Sequence, residues 1–204
     1  KREPFTVSPY QASIDASTFV AHEHAATSVK IADSNNHFVT SSDSEFVSKV
    51  WEMNRNTVNA QEPLYILEGG VGADFVDGHS VVTASMHCVR LYLLPKHDRT
   101  KIDVREHVEE WKRSKTLKEH RVQSARLTCL AVCSTFYHNM CAVGDSIGAV
   151  KMFALGNSNR RDILELPNTS LHDHAAAITC MAFNKSGHNL ATGSDDAIIR
   201  IYSI

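Results

Sequence analysis

Apolar residues along the chain fall in short runs, alternating with polar residues or nearly continuous, each closed by a turn rich in Gly, Asn, Ser or Asp. Runs of this length with period-two alternation predict strands, because helices need longer stretches of 3.6-residue periodicity. The pattern is cleanest near residue 200. Ile178 opens a strand through Phe183, a polar turn follows at Asn184-Lys185-Ser186-Gly187, and a second strand runs from Asn189 to Ser194. An acidic turn, Asp195-Asp196, leads into a third strand ending at Tyr202, so the segment reads as a three-strand meander.

The same scheme recurs upstream. Ser28–Ile31, Phe38–Asp43 and Val47–Trp51 form one copy, preceded by His22-Glu23-His24-Ala25-Ala26 as the last copy is preceded by His172-Asp173-His174-Ala175-Ala176. A third copy runs through Leu127–Val132, Cys141–Asp145 and Ala149–Phe153, with a longer turn around Tyr137-His138-Asn139. The fourth and weakest, Val71 to Leu94, has Val81–Ser85 and Val89–Tyr92 as its second and third strands but no turn Asp. From His24 to Trp51 is 27 positions and from His174 to Tyr202 is 28, which sets the repeat.

The order of His, strand, Gly turn, strand ending in Gly-Ser, Asp turn and strand ending in an aromatic resembles the WD-repeat, the unit of β-propellers. The resemblance implies an all-β propeller with units near 21–54, 64–94, 120–155 and 171–204. At roughly 40 residues per blade, the 204 residues allow four to five blades, either a small ring or part of a larger one. Residues 1–20 are expected to be an N-terminal extension carrying an outer strand, with Ser17-Thr18-Phe19-Val20 closing the ring against the last blade. In this family the loop His, a strand Ser or Thr, the turn Asp and the third-strand Trp are linked by hydrogen bonds. The resemblance therefore implies a blade-bracing network of His174, Ser194, Asp196 and Tyr202. In the first unit it implies Ser42, Trp51 and either His24 or His22, with Asp43 one place early. Tyr202 stands where the family has Trp, and a phenol presents its donor at a different reach. In the third unit Ile147 and Phe153 occupy the turn-Asp and Trp positions, so packing alone is expected to hold that blade.

Composition narrows the function. With 43% hydrophobic and 22% charged residues the chain can build a packed core, and 21 Lys+Arg against 23 Asp+Glu leave a formal net charge of -2. Such a balance does not drive the whole molecule onto nucleic acid or an anionic bilayer. Neither a membrane span nor a signal peptide is visible, and five cysteines without CxxC spacing read as reduced thiols, so a cytoplasmic or nuclear location is expected. The His-acid-His pairs look like a metal motif, but zinc needs three or four converging ligands and bracing accounts for one His of each pair; no metal and no cofactor are expected. Cys129 and Cys180, at equivalent strand positions, read as small buried hydrophobes. No nucleophile elbow or phosphate-binding Gly loop is present, so no catalytic residue and no small-molecule substrate are assigned.

The compositional anomaly is residues 96–126, with ten Lys or Arg against six acids. A charged interblade insertion at 96–119 is expected, with Val104, Val108 and Trp111 at helical spacing and Trp111, Lys112, Arg113 and Lys115 as partner contacts. The function implied by the resemblance is a non-enzymatic scaffold holding protein partners within an intracellular multisubunit complex. More narrowly, His22 through Leu94 resemble the first blades of the propeller on the regulatory, protein-kinase-like subunit of class III phosphatidylinositol 3-kinase. The competing class is phosphoinositide or nucleic-acid binding through 96–126 or through Arg160-Arg161. Phosphoinositide-binding propellers carry Phe-Arg-Arg-Gly, whereas these arginines lie between Asn159 and Asp162. Membrane contact is therefore expected to be at most indirect, and no nucleic acid is expected.

Overall fold

The computed structural model describes residues 19–32, 37–53, 62–78, 80–94, 118–122, 125–134, 139–156, 162–167 and 171–204. They form fifteen strands in four antiparallel sheets, with no helix among the described residues. Sheet A is β1 (Ser28–Ile31), β2 (His37–Ser42), β3 (Val47–Glu52) and β4 (Tyr65–Glu68). Sheet B is β5 (Gly72–Asp77), β6 (Ser80–Ala84), β7 (Cys88–Leu93) and β8 (Lys118–Arg121). Sheet C is β9 (Leu127–Ser134), β10 (Asn139–Asp145), β11 (Val150–Leu155) and β12 (Ile163–Glu165). Sheet D has three strands, β13 (Ile178–Phe183), β14 (Asn189–Ser194) and β15 (Ile199–Ser203). Each sheet is an up-and-down meander in chain order.

The sheets stack face to face as blades, with the first strands β1, β5, β9 and β13 side by side along the inside. Three apolar interfaces hold the stack. Val39, Val50 and Leu67 of sheet A meet Ala73, Phe75, Val81 and Tyr92 of sheet B. The other face of B, with Val82, Val89 and Leu91, meets Leu127, Cys141, Val143 and Phe153 of C. The far face of C, with Cys129, Val150 and Met152, meets Ile178, Met181 and Leu190 of D. Because sheet B is covered on both sides, β6 is buried at every residue, Ser-Val-Val-Thr-Ala. Sheet D is covered on one side, and β15 accordingly alternates between exposed and half-buried positions.

The result is an open arc of four blades, a partial propeller. The outer strand expected before the first His is not formed at Phe19 and Val20, the described part of that segment. The Phe19 ring lies over Phe38 and Trp51 of sheet A, with centroids 6.1 and 5.0 Å away. Ring closure by 17–20 is not made among the described residues: β15 has β14 on one side and no strand on the other. The expected insertion shrinks by two residues, because Lys118 and Glu119 belong to β8, where Glu119 faces Arg90 across the ladder. Its remaining part, including Trp111, Lys112, Arg113, Lys115 and the helical spacing from Val104, lies outside the described residues, as do Arg160 and Arg161.

Candidate functional site: the braced rim and the inner groove

One rim of the arc carries the start of each inner strand and the turns between second and third strands. Its architecture rests on two side-chain chains in the end blades. In sheet A, Trp51 Nε1 donates to Thr40 Oγ1 at 2.9 Å, Thr40 lies 2.8 Å from His22 Nε2, and His22 Nδ1 lies 3.1 Å from Glu45 Oε2. One tautomer satisfies the whole series: indole to hydroxyl, hydroxyl to Nε2, and Nδ1–H to carboxylate. In sheet D, His174 Nε2 meets Thr192 Oγ1 at 2.8 Å and its Nδ1 meets Asp196 Oδ2 at 2.9 Å.

Several sequence expectations are corrected here. His22, not His24, is the buried imidazole; the backbone N–H of His24 donates to Glu45 Oε1 at 2.9 Å. Thr40 and Thr192 are the strand hydroxyls, whereas Ser42 and Ser194, two positions on, donate to the carbonyls of Ala25 and Ala176 at 3.0 Å. Glu45 takes the acid's place in the first blade, and Asp43 instead forms an ion pair with Arg126 of the third. Tyr202 does not extend the second chain: its buried hydroxyl makes no hydrogen bond of good geometry, although Asp173 and Thr192 lie close enough to act on its ionisation, which burial suppresses. In the third blade Asp145, absent from the expected network, accepts from the backbone N–H groups of Ile147 and Ala149 at 3.0 and 2.8 Å and pins its own turn. The sequence signal for Thr40 and Thr192 was period-two alternation, which puts each on the same strand face as the Ser chosen instead.

The electrostatics follow this geometry. Burial opposes ionisation of Glu45, but the His24 backbone N–H, the His22 imidazole and the Lys49 ammonium outweigh it and hold the carboxyl at about 2, below its ordinary 4.5. Asp196 is depressed in the same way: burial is overcome by the N–H groups of Ala175 and Ile198 and by His174. Burial pushes the Cys129 thiol up to about 11, suited to a packed hydrophobe. Cys180, expected to be buried at the equivalent position, is exposed; among the described residues no further sheet stacks on that side of sheet D.

Between the inner strands this rim opens into a groove of about 430 Å³ lined by Thr27, Ser28, Arg126, Thr128, Thr179 and Cys180. Around it the turns present apolar side chains to solvent: Phe46, Ile147 and Ile198 are all exposed. Phe46 sits at φ 59°, a left-handed conformation that a bulky residue rarely adopts. The exposed acids Glu23, Asp173 and Asp195 stand among these turns. Among the described residues no group of three or more His, Cys, Asp or Glu is placed to hold a metal ion, and no helix is long and apolar enough to cross a membrane.

Stacked antiparallel meanders of three or four strands with a His–hydroxyl–acid brace give the chain the fold of a WD-repeat β-propeller. Residues 166–203 match the family model described as WD domain, G-beta repeat. The chain is similar to the crystal structure of Sqt1 from Chaetomium thermophilum, with a TM-score of 0.66 at 19% identity, covering 90% of this chain and 45% of that one. It is also similar to Chaetomium thermophilum Sqt1 bound to the N-terminus of the ribosomal protein L10, with a TM-score of 0.59 at 20% identity, covering 83% and 42%. The chain thus spans less than half the length of these structures. No curated protein matches it in sequence.

Proposed function

We propose that the chain is a docking arc for protein partners, a non-enzymatic scaffold whose contact surface is the braced rim and the groove at its mouth. The observation that carries the reading is the exposure of Phe46, Ile147 and Ile198 on three turns of one rim, one of them held in a left-handed backbone. Turns gain nothing in stability from exposed Phe or Ile, and Gly or Asn would fit φ 59° without strain, so a contact function accounts for them better than folding does. The L10 segment held by Sqt1 supports the choice of a protein partner. In this reading the chain works inside an intracellular multisubunit complex, in the cytoplasm or nucleus, without a cofactor. Its narrower form, the propeller of a class III phosphatidylinositol 3-kinase regulatory subunit, rests on the likeness of residues 22–94.

Affinity purification with mass spectrometry tests the proposal, comparing the intact chain with the triple variant Phe46→Asn, Ile147→Ser, Ile198→Ser. The substitutions touch only exposed turn positions, and Asn tolerates the left-handed conformation. Partners captured by the intact chain should be lost from the variant at unchanged thermal stability. Equal capture by both would sink the assignment of this rim.

A further inference from the structure

The groove at the mouth of the rim is spanned by an ion pair. Asp43, in the turn after β2, holds Arg126, which precedes β9, so the contact joins sheets A and C, which sheet B separates. It is made at one point, Arg126 Nη2 to Asp43 Oδ2. The other carboxylate oxygen, Oδ1, is buried without a hydrogen-bond partner, and so is the Oγ of Ser28 on β1, a residue that also lines the groove. The rest of the wall offers acceptors. Thr27 Oγ1 donates its hydrogen to the Gly70 carbonyl at 2.8 Å and Thr128 Oγ1 donates to the carbonyl of Ile178, which leaves lone pairs on both hydroxyls. Backbone packing holds Asp43 in place. The Phe46 N–H closes the turn onto the Asp43 carbonyl at 3.3 Å, and Gly70 lies so near that a Cβ there would stand 2.1 Å from the Ser42 carbonyl oxygen.

We propose that this groove seats an arginine side chain of the docked protein partner, which takes the Asp43 carboxylate from Arg126; the assignment rests on the rim being the docking surface. The unmet demand on the groove wall is for donors, since a carboxylate only accepts and the threonine hydroxyls have spent their hydrogens. The Arg126 side chain is 52% exposed and keeps its access to water, whereas Asp43 is 26% exposed with one oxygen cut off from it. Pairs this exposed hold weakly, so Arg126 is readily released. An entering guanidinium then gains the second hydrogen bond that the internal pair lacks, because its planar fork engages both carboxylate oxygens at once, as an ammonium does not. Charge agrees with the choice. Glu23, Asp173 and Asp195 stand exposed on the same rim, while Lys49 and Arg200 are already paired with Glu45 and Asp196.

Heteronuclear NMR titration with the capped pentapeptide Gly-Ser-Arg-Ser-Gly tests the seat, with citrulline or Glu in place of the Arg as controls. The Arg peptide should give saturable shifts of the backbone amides of Ser28, Asp43 and Arg126 to Cys129, weakened by added salt. The citrulline peptide, of the same shape without the charge, should give none. Arg126→Ala should lower the dissociation constant at least about threefold by removing the internal competitor, and Asp43→Asn should raise it at least about tenfold. Circular dichroism and thermal midpoints check that both variants fold, and the citrulline comparison on the wild-type chain decides the matter without either. No shifts with the Arg peptide, equal shifts with citrulline, stronger binding of the Glu peptide, or weaker binding to Arg126→Ala would each overturn the proposal. The pentapeptide brings no apolar side chain to Phe46, Ile147 or Ile198, so this result and that of the triple variant are independent. Partners lost from the triple variant with no arginine binding would leave the rim standing and strike the seat; arginine binding with equal partner capture would keep the seat and strike the rim.

Discussion

The imidazoles of His22 and His174 are buried because each has a use for both ring nitrogens, one turned to a threonine and the other to a carboxylate. Replacing His174 by Ala takes the imidazole from Thr192 and from Asp196, which keeps the N–H groups of Ala175 and Ile198 and the Arg200 guanidinium, and the loss should be about 1–3 kcal/mol in denaturant unfolding. Thr192→Ala should cost more than Ser194→Ala, since Thr192 bridges inside the blade while Ser194 tacks down a half-exposed loop carbonyl; the reverse order would show that the brace runs through the serine. Tyr202→Phe should be neutral or stabilising, because it removes a buried hydroxyl that makes no hydrogen bond of good geometry. Acid should act first through the carboxylates. The unfolded chain takes up protons on Glu45 at its ordinary 4.5 while the folded one resists until about 2, so this stabilisation is complete above the upper value and fades as pH falls through the lower. Glu45→Gln should flatten the acid limb of a plot of denaturant midpoint against pH over that interval, and an unaltered slope would discount the pair.

At the level of the element, the strands were legible because hydrophobic alternation is a local property, and β13, β14 and β15 begin and end within a residue or two of the expected positions. The brace was legible only as a pattern. Thr40 and Ser42 share a strand face, as do Thr192 and Ser194, so periodicity cannot say which hydroxyl stands opposite the imidazole. Glu45 was hidden for a related reason: a longer side chain one residue further along the turn reaches the ring that Asp196 reaches from nearer in the last blade. Blade-to-blade contacts were not legible at all, and Gly148 shows how close they run. It sits at φ 90°, where a Cβ would stand 2.2 Å from the carbonyl oxygen of His174 in the next blade. Gly148→Ala should therefore strain the turn between β10 and β11 and push the bracing loop of sheet D, lowering stability by about 1–3 kcal/mol in thermal or denaturant melts. A variant of wild-type stability would mean that the two blades can separate freely at this point.

Across the whole molecule, near-neutral charge and stacked apolar faces leave little to attract a lipid surface. Vesicle sedimentation at physiological salt should show no headgroup-dependent retention; saturable retention abolished by reversing Lys112, Arg113 and Lys115 would favour lipid binding through the basic stretch instead. Among the described residues no strand pairs with the outer edge of β15, Ile199 to Ser203. Unsatisfied amides and carbonyls in an extended row are a template, and whichever β-prone segment reaches them can zip on by main-chain bonding alone, with little regard for its side chains.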